Sequence, residues 1–288
     1  MTTNTLVCGA TGRIGRILQM AWAQRQGVLW QARGEMTGPW LQWDILSAPW
    51  PGLRLPGVVI FGLAGVVRGD EEALAQNTTL ALAMCEAALR CGAAHVFLAS
   101  SVAVYGSGQG EAVPVDEDAP PAPMGAYGHA KAMMETAVLD WQARQGAGVP
   151  GLTVLRIGNV LGADALFGAA ASGRAVTLDP VHGSDAGPQR AYIGPGRLAA
   201  VLAGLADLAR AGQPLPKLLN ISAPGQVRMG DLLDAAGFCW QFGPDNPQVL
   251  AGLPINTQRL EALLPGVAGR GEAADLVADW RDFGAEHT

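Results

Sequence analysis

The sequence predicts an α/β fold: a doubly wound parallel sheet with a small C-terminal cap. Three observations predict it. Short apolar, strand-like runs alternate with longer helix-period segments as far as residue 159. A glycine-rich turn joins the first strand to the first helix. The fifth strand-like run ends on hydroxyl residues, and the next helical segment carries a Tyr and a Lys four residues apart.

Composition frames this reading. The chain has 288 residues, of which 49% are apolar and 15% charged, with a formal net charge of −6. That is a globular composition, long enough for one large or two small domains. Without a Lys/Arg cluster, neither nucleic acid nor an anionic membrane is expected as a partner. Four cysteines (Cys8, Cys85, Cys91, Cys239) show no paired or metal-like spacing, and the four scattered His form no metal constellation. The cysteines fit a reducing compartment, so a cytoplasmic location is expected. No signal-peptide pattern precedes Leu6-Val7-Cys8. The longest apolar run, Val58 to Val67, is too short to cross a bilayer as a helix.

The first strand, residues 5–8, leads into Gly9-Ala10-Thr11-Gly12-Arg13-Ile14-Gly15. Apolar residues then recur at Ile14, Ile17, Leu18, Ala21 and Trp22, a helical period. Glycine permits the tight turn and a close approach to a pyrophosphate, and the helix N-terminus offers N–H groups to it. The turn is therefore expected to hold a dinucleotide through Gly9, Thr11, Gly12, Arg13, Ile14 and Gly15. The second strand, Val28 to Ala32, ends on Arg33 and not on the acid that often holds an NAD ribose. Because Arg accommodates a 2′-phosphate, NADP is preferred over NAD, with Glu35 keeping NAD open. A third strand is expected at Trp43-Asp44-Ile45, where Asp44 would meet the adenine amine or serve a turn. The fourth, Val58 to Phe61, precedes Gly62-Leu63-Ala64-Gly65. Small residues there leave Leu63 and Ala64 beside the cofactor backbone.

A helix is expected over about 71–90, carrying Asn77. The fifth strand, 95–99, delivers Ser100 and Ser101. The acids of the following loop (Glu111, Asp116, Glu117, Asp118) read as solvated. Tyr127 opens a helix to about Gln145, and a sixth strand, Thr153 to Ile157, ends at Gly158-Asn159. Residues 162–190 carry few periodic signals. A helix at about 196–211 and a strand Leu218 to Ile221 return to the sheet. Met229–Ala236, Gln258–Leu264 and Ala273–Phe283 read as short helices of the cap. The expected division is a dinucleotide-binding domain of 1–158 with 191–222, and a substrate-binding cap of 159–190 with 223–288.

Four-residue spacing puts Tyr127 and Lys131 on one helix face. An ammonium beside a phenol pulls its pKa down from about 10, which suits a general acid–base group. A Ser hydroxyl can hold the oxygen that gains or loses the proton. Lys131 and Lys217 are the only lysines among the nineteen Lys and Arg residues, so a compact ammonium is singled out here. The plainer alternative is a surface helix pair.

Taken in order, these segments resemble the extended short-chain dehydrogenase/reductase family, named for NAD-dependent epimerases and dehydratases, over nearly the whole chain. Gly9 to Gly15 is similar to its cofactor loop. Ser101-Val102-Ala103-Val104-Tyr105-Gly106 is similar to its Ser-x-x-Val-Tyr-Gly element, which implies that Ser101, not Ser100, is the catalytic hydroxyl. Tyr127 and Lys131 match Tyr-x-x-x-Lys, with Lys131 implied to hold the nicotinamide ribose. Asn77 is similar to the Asn of its fourth helix, on the cofactor side. Leu155 to Val160 resembles its post-strand signature, implying that Asn159 faces substrate. Arg190-Ala191-Tyr192-Ile193 resembles a segment whose Arg meets an anionic group, and Leu219 to Ser222 resembles its late Asn-Ile strand.

The resemblance implies a Rossmann fold, a homodimer through the helices of Asn77 and Lys131, and hydride transfer at a secondary alcohol or ketone of a sugar-like molecule. Val102 and Ala103 stand where dehydratases place acids, which disfavours dehydration. The segment between Asn159 and Arg190 is short for wrapping a whole nucleotide sugar. The alternatives are an epimerase with retained NAD and a non-catalytic NAD(P) sensor; the intact Ser/Tyr/Lys set argues against the sensor.

Overall fold

The computed structural model describes residues 3–107, 113–146 and 148–286. Glu111 of the acidic loop lies outside the described residues. The chain divides into two compact units. The first is Met1–Val104, Pro123–Arg156 and Leu202–Leu219; the second is Tyr105–Ala122, Ile157–Val201 and Asn220–Thr288.

The first unit is built on β1 (Thr5–Cys8), β2 (Val28–Ala32), β3 (Trp40–Gln42), β4 (Val59–Gly62), β5 (His95–Ser101) and β6 (Gly151–Ile157). Every residue of β1 and β4 is buried, as expected of strands covered on both faces. The seven-stranded sheet runs β11-β6-β5-β4-β1-β2-β3, where β11 is Leu218–Ile221. β1 pairs in parallel with β2 on one side and β4 on the other. The strand order therefore reverses beside β1, which opens a crevice at the carboxyl ends of β1 and β4.

Three helices of this unit matter for the site: α1 (Arg13–Ala21), α2 (Glu71–Cys91) and α3 (Ala126–Arg144). α2 is stopped sharply at both ends. Asp70 caps it by accepting from the Ala73 amide at 2.9 Å, Glu71 and Glu72 complement the dipole, and Gly92 ends it in the left-handed region at φ 80°. Met84 and Cys85 of α2 and Met134 and Val138 of α3 enter one apolar core with Leu6, Ile60, Val96 and Val154 of the sheet.

The third strand differs from expectation. It is Trp40–Gln42, in register with Trp30–Ala32, and Trp43 lies just past its end. Trp43 and Ile45 are buried beneath the following turn, and Trp43 stacks edge-on against Trp50 at 5.2 Å. Their burial imitates a strand pattern, but the Trp43 indole donates to the Ala48 carbonyl across a turn.

The second unit holds α4 (Ala165–Ala171), β8 (Val176–Leu178), α6 (Met229–Ala236), β13 (Trp240–Phe242), α7 (Gln258–Leu263) and α8 (Ala273–Glu286). Its core gathers Phe167, Leu178, Tyr192, Leu232, Leu233 and Leu276. Order in 162–190 comes from distant partners. β8 pairs with β13, more than sixty residues on, and Phe167 of α4 meets Trp280 of α8 at 5.3 Å. Glu117, read as solvated, is 2% exposed. It accepts from the Asn220 amide at 2.9 Å and lies 3.4 Å from Arg259 Nε.

Candidate active site

The carboxyl end of β5 and the first half of α3 meet residue against residue. Ser101 shares a side-chain hydrogen bond with Tyr127, and Ala99 accepts from Lys131 Nζ at 2.8 Å. Between them in sequence, Ser100 donates to Glu135 Oε1 at 2.5 Å. Three consecutive strand residues thus engage three helix residues at positions i, i+4 and i+8, which share one helix face. Ser100 is 4% exposed and committed to Glu135, so Ser101 is the hydroxyl left beside the phenol.

The electrostatics depart from expectation at Tyr127. Burial raises its pKa above the ordinary 10, and the Ser101 hydrogen bond offsets part of that rise. Lys131 Nζ stands 6.0 Å from the Tyr127 ring centroid and does not produce the expected depression. Lys131, 4% exposed, is itself pushed down by desolvation to about 8, against an upward pull from Glu135. At neutral pH the phenol is protonated and Lys131 is mostly an ammonium.

The glycine-rich turn lies at the crevice beside β1. Gly9 has φ +80°, and a Cβ on it would stand 2.4 Å from the Ala64 amide nitrogen. Only glycine lets this turn lie against the end of β4. A cleft of about 260 Å³ opens there, lined by Gly9, Thr11, Gly12, Arg33, Asp44, Leu63, Ala64 and the side of α2 at Gln76 and Leu80. Seven residues singled out from the sequence therefore face one cavity. Arg33 is exposed and pairs with no carboxylate among the described residues. Asp44 lines the cleft and also closes its own turn, accepting from the Leu46 amide and the Ser47 hydroxyl. Arg13, Ile14 and Gly15 lie in the first turn of α1, outside that lining. α1 begins at Gly12 with no side-chain cap, the form of helix start that suits an anion.

Asn77, 1% exposed, is turned to the chain itself. Its side chain accepts from the Val66 amide at 3.1 Å and donates to the Val66 and Leu74 carbonyls at 2.9 and 2.8 Å. It fastens the loop after β4. A methyl group on Gly65 of that loop would stand 2.9 Å from Asn77 Oδ1 and 3.2 Å from Lys131 Nζ. The absence of a side chain there gives the ammonium its room.

The two substrate candidates belong to the second unit. Asn159 opens β7 (Asn159–Val160), which pairs with β10 (Tyr192–Ile193), and shares a side-chain hydrogen bond with Tyr192. Arg190 donates from Nη1 to the Gln189 and Leu250 carbonyls at 2.7 and 2.8 Å and makes no salt bridge among the described residues. Desolvation lowers its pKa.

Sequence reasoning missed Gln31, Glu135 and Arg156. Gln31 Oε1 accepts from the Gly9 amide at 2.8 Å, and its Nε2 donates to the Trp43 carbonyl. Glu135 was within reach as the fourth residue after Lys131. Arg156 carried a signal too: one cation inside an apolar strand.

Comparison with known proteins bears on the family and the fold. The model of the NAD dependent epimerase/dehydratase family matches residues 5–177. A UDP-glucose 4-epimerase of Azospirillum brasilense is 41% identical over 88 residues, 31% of this chain and 24% of that protein. The chain thus matches about a quarter of that relative's length. Among solved structures, TunA, an NAD dependent NDP-hexosamine 5,6-dehydratase involved in tunicamycin biosynthesis, superposes with a TM-score of 0.78 at 17% identity, over 100% of this chain and 99% of that one. MoeE5 in complex with UDP-glucuronic acid and NAD gives 0.76 at 21% identity, over 99% and 100%. These structures share the Rossmann fold. With more than half its length matched by the family's model, the chain belongs to the NAD dependent epimerase/dehydratase family, enzymes of the extended short-chain dehydrogenase/reductase type.

Proposed function

We propose that this protein binds a nicotinamide dinucleotide and transfers a hydride at a secondary alcohol or ketone of a sugar-like substrate. The observation that carries the reading is the register of β5 on α3, which sets Ser101 beside Tyr127 and anchors Lys131 on Ala99. The bound cofactor supplies the hydride chemistry. Tyr127, a neutral phenol at pH 7, donates its proton to a ketone oxygen and recovers it in the reverse direction. Ser101 holds that oxygen and eases the charge on the phenol. Lys131 offers its ammonium to the nicotinamide ribose.

The cleft at Gly9, Gly12 and Ala64 suits the cofactor: with no room for a Cβ between Gly9 and the Ala64 backbone, the bare turn lies close against the end of β4 and leaves its amides to the ligand. Exposed Arg33 on its wall supports acceptance of the 2′-phosphate of NADP. The family's description points to NAD. Residues 1–158 with 191–222 are read as the dinucleotide-binding domain. Residues 159–190 with 223–288 are read as the substrate-binding cap, with Asn159 and Arg190 toward substrate. A nucleotide-linked sugar suits that cap. MoeE5, described with UDP-glucuronic acid, is matched over its whole length, which supports a nucleotide-linked sugar despite the short segment between Asn159 and Arg190. A homodimer through α2 and α3 is supported by Leu89 and Met133, exposed on those helices at 36% and 68%. A cytoplasmic location is supported by four free cysteines. Among the described residues no helix is long and apolar enough to cross a membrane.

One observation favours a second reading, an epimerase that keeps its NAD: the 41% identity over 88 residues to a UDP-glucose 4-epimerase. Mass spectrometry of the nucleotide released on denaturation separates the two. Near-stoichiometric NAD⁺ supports the epimerase. No nucleotide, or a trace of NADP, supports an enzyme that exchanges its cofactor each turnover. Tyr127→Phe is expected to abolish turnover and keep nucleotide binding; near-full activity in that variant sinks the assignment.

A further inference from the structure

Glu135 is 2% exposed, and a carboxylate so placed has to be paired. Arg156, 1% exposed, donates to it from Nε at 3.1 Å and from Nη2 at 2.7 Å, both to Oε2. Ser100 Oγ donates to Oε1 at 2.5 Å. Two elements therefore fix the carboxylate from two sides, β6 through Arg156 and β5 through Ser100. The two-point grip of Arg156 also fixes its orientation.

Lys131 lies one helical turn before Glu135. Its ammonium faces the Ala99 carbonyl at 2.8 Å, Met134 Sδ at 3.8 Å, the Tyr127 ring at 6.0 Å and the wall formed by Gly65 and Asn77. Glu135 is the carboxylate acting on it, and Arg156 is the cation beyond. Ala99 and Ser100 are neighbours in β5, so adjacent strand residues hold the ammonium and its counter-charge.

We propose that Glu135 is a positioning residue for Lys131: clamped by Arg156 and Ser100, it keeps the ammonium charged and in place beside Tyr127. The inference rests on the proposed function only for what Lys131 does in turnover; the charge state exists in the resting protein. Desolvation pushes Lys131 down, and the Glu135 charge opposes that fall. A carboxylate free to swing would oppose it less.

The test uses the scarcity of lysine. Protein carrying ¹³C-labelled lysine shows two Cε resonances, and Lys217→Arg assigns the one that remains to Lys131. In Glu135→Gln the Lys131 titration midpoint is expected to fall by roughly one pH unit, and any limb of the pH–rate profile that reports Lys131 moves with it. Glu135→Asp falls in between. Glu135→Gln leaves Arg156 facing a neutral amide, so folding is checked first by near-ultraviolet circular dichroism. Should it fail to fold, Ser100→Ala decides. That change frees the carboxylate on its β5 side, and the Lys131 midpoint should fall by a few tenths of a unit. A folded Glu135→Gln with an unmoved midpoint overturns the proposal, as does an unmoved midpoint in Ser100→Ala where that variant decides. Should wild-type protein turn over no sugar-like substrate while the midpoint still shifts, the hydride-transfer reading fails and this one stands.

Discussion

Tyr105 Oη donates to Asn220 Oδ1 at 2.7 Å, joining two residues 115 positions apart. Asn220 is fully buried, and its Nδ2 donates to the Val115 and Asn256 carbonyls. The Tyr of the Ser-x-x-Val-Tyr-Gly element and the Asn of the late Asn-Ile strand thus form one network in the second unit. Tyr105→Phe removes the donor and leaves a buried amide oxygen without it. The expected loss is about 1–3 kcal/mol of unfolding free energy, read from the urea midpoint. An unchanged midpoint would mean that water reaches Asn220 and replaces the phenol.

Arg33 stands on the wall of the cofactor cleft without a carboxylate partner among the described residues. Arg33→Ala is expected to weaken NADPH about tenfold or more while changing NADH little, since a charged hydrogen bond is worth about 1.5–3 kcal/mol. Titration calorimetry with both nucleotides measures the difference. Equal losses would remove the reason to prefer NADP.

His95 is 7% exposed, its ring tilted against Phe97 with centroids 4.4 Å apart, and its Nε2 3.0 Å from Thr153 Oγ1. Thr153 gives its own proton to the Pro216 carbonyl at 2.6 Å, so the imidazole is the donor to Thr153. Burial pushes the His95 pKa down from 6.5 to about 4. Between those values the unfolded chain binds the proton and the folded one does not. Stability therefore falls as pH drops through this window, by on the order of 3 kcal/mol in all. Denaturation curves from pH 4 to 7 should show the slope, and His95→Phe should flatten it. A variant as acid-sensitive as wild type would assign the slope elsewhere.

Lys131 has the same sign at the other end of the scale. Its pKa of about 8 lies below the ordinary 10.5, so stability rises with pH between those values, and at pH 7 the buried ammonium carries its full penalty. Lys131→Met is expected to end turnover and to stabilise the protein by up to about 3 kcal/mol at pH 7, seen as a higher Tm. A lower Tm would show that Lys131 contributes packing and pairing beyond its desolvation penalty.

The parts of this design that lie close together in sequence could be read from it. The Gly9 to Gly15 turn, the Ser101 hydroxyl and the Tyr127–Lys131 pair are local patterns whose spacing alone defines a face or a turn. The Ser100–Glu135–Arg156 cluster could not be read, because it joins two strands and a helix. The phenol's raised pKa was missed for a related reason, since spacing reports the approach of a charge and not the depth of burial. Burial also misled at Trp43 and Ile45, apolar residues under a turn that imitate a strand. Glu117 was read as solvated because nothing near it in sequence announces Asn220 or Arg259.

Gln31 has a consequence for ligand capture. One side chain at the end of β2 holds the amide of Gly9 and the carbonyl of Trp43, so three successive loop roots at the sheet edge are laced together by a neutral amide. Their shape is set when the chain folds, not when a nucleotide arrives. An incoming dinucleotide meets a ready-made seat, and little of its affinity is consumed in ordering the loop. Association should then behave as a single fast step, with no slow isomerisation after the first encounter.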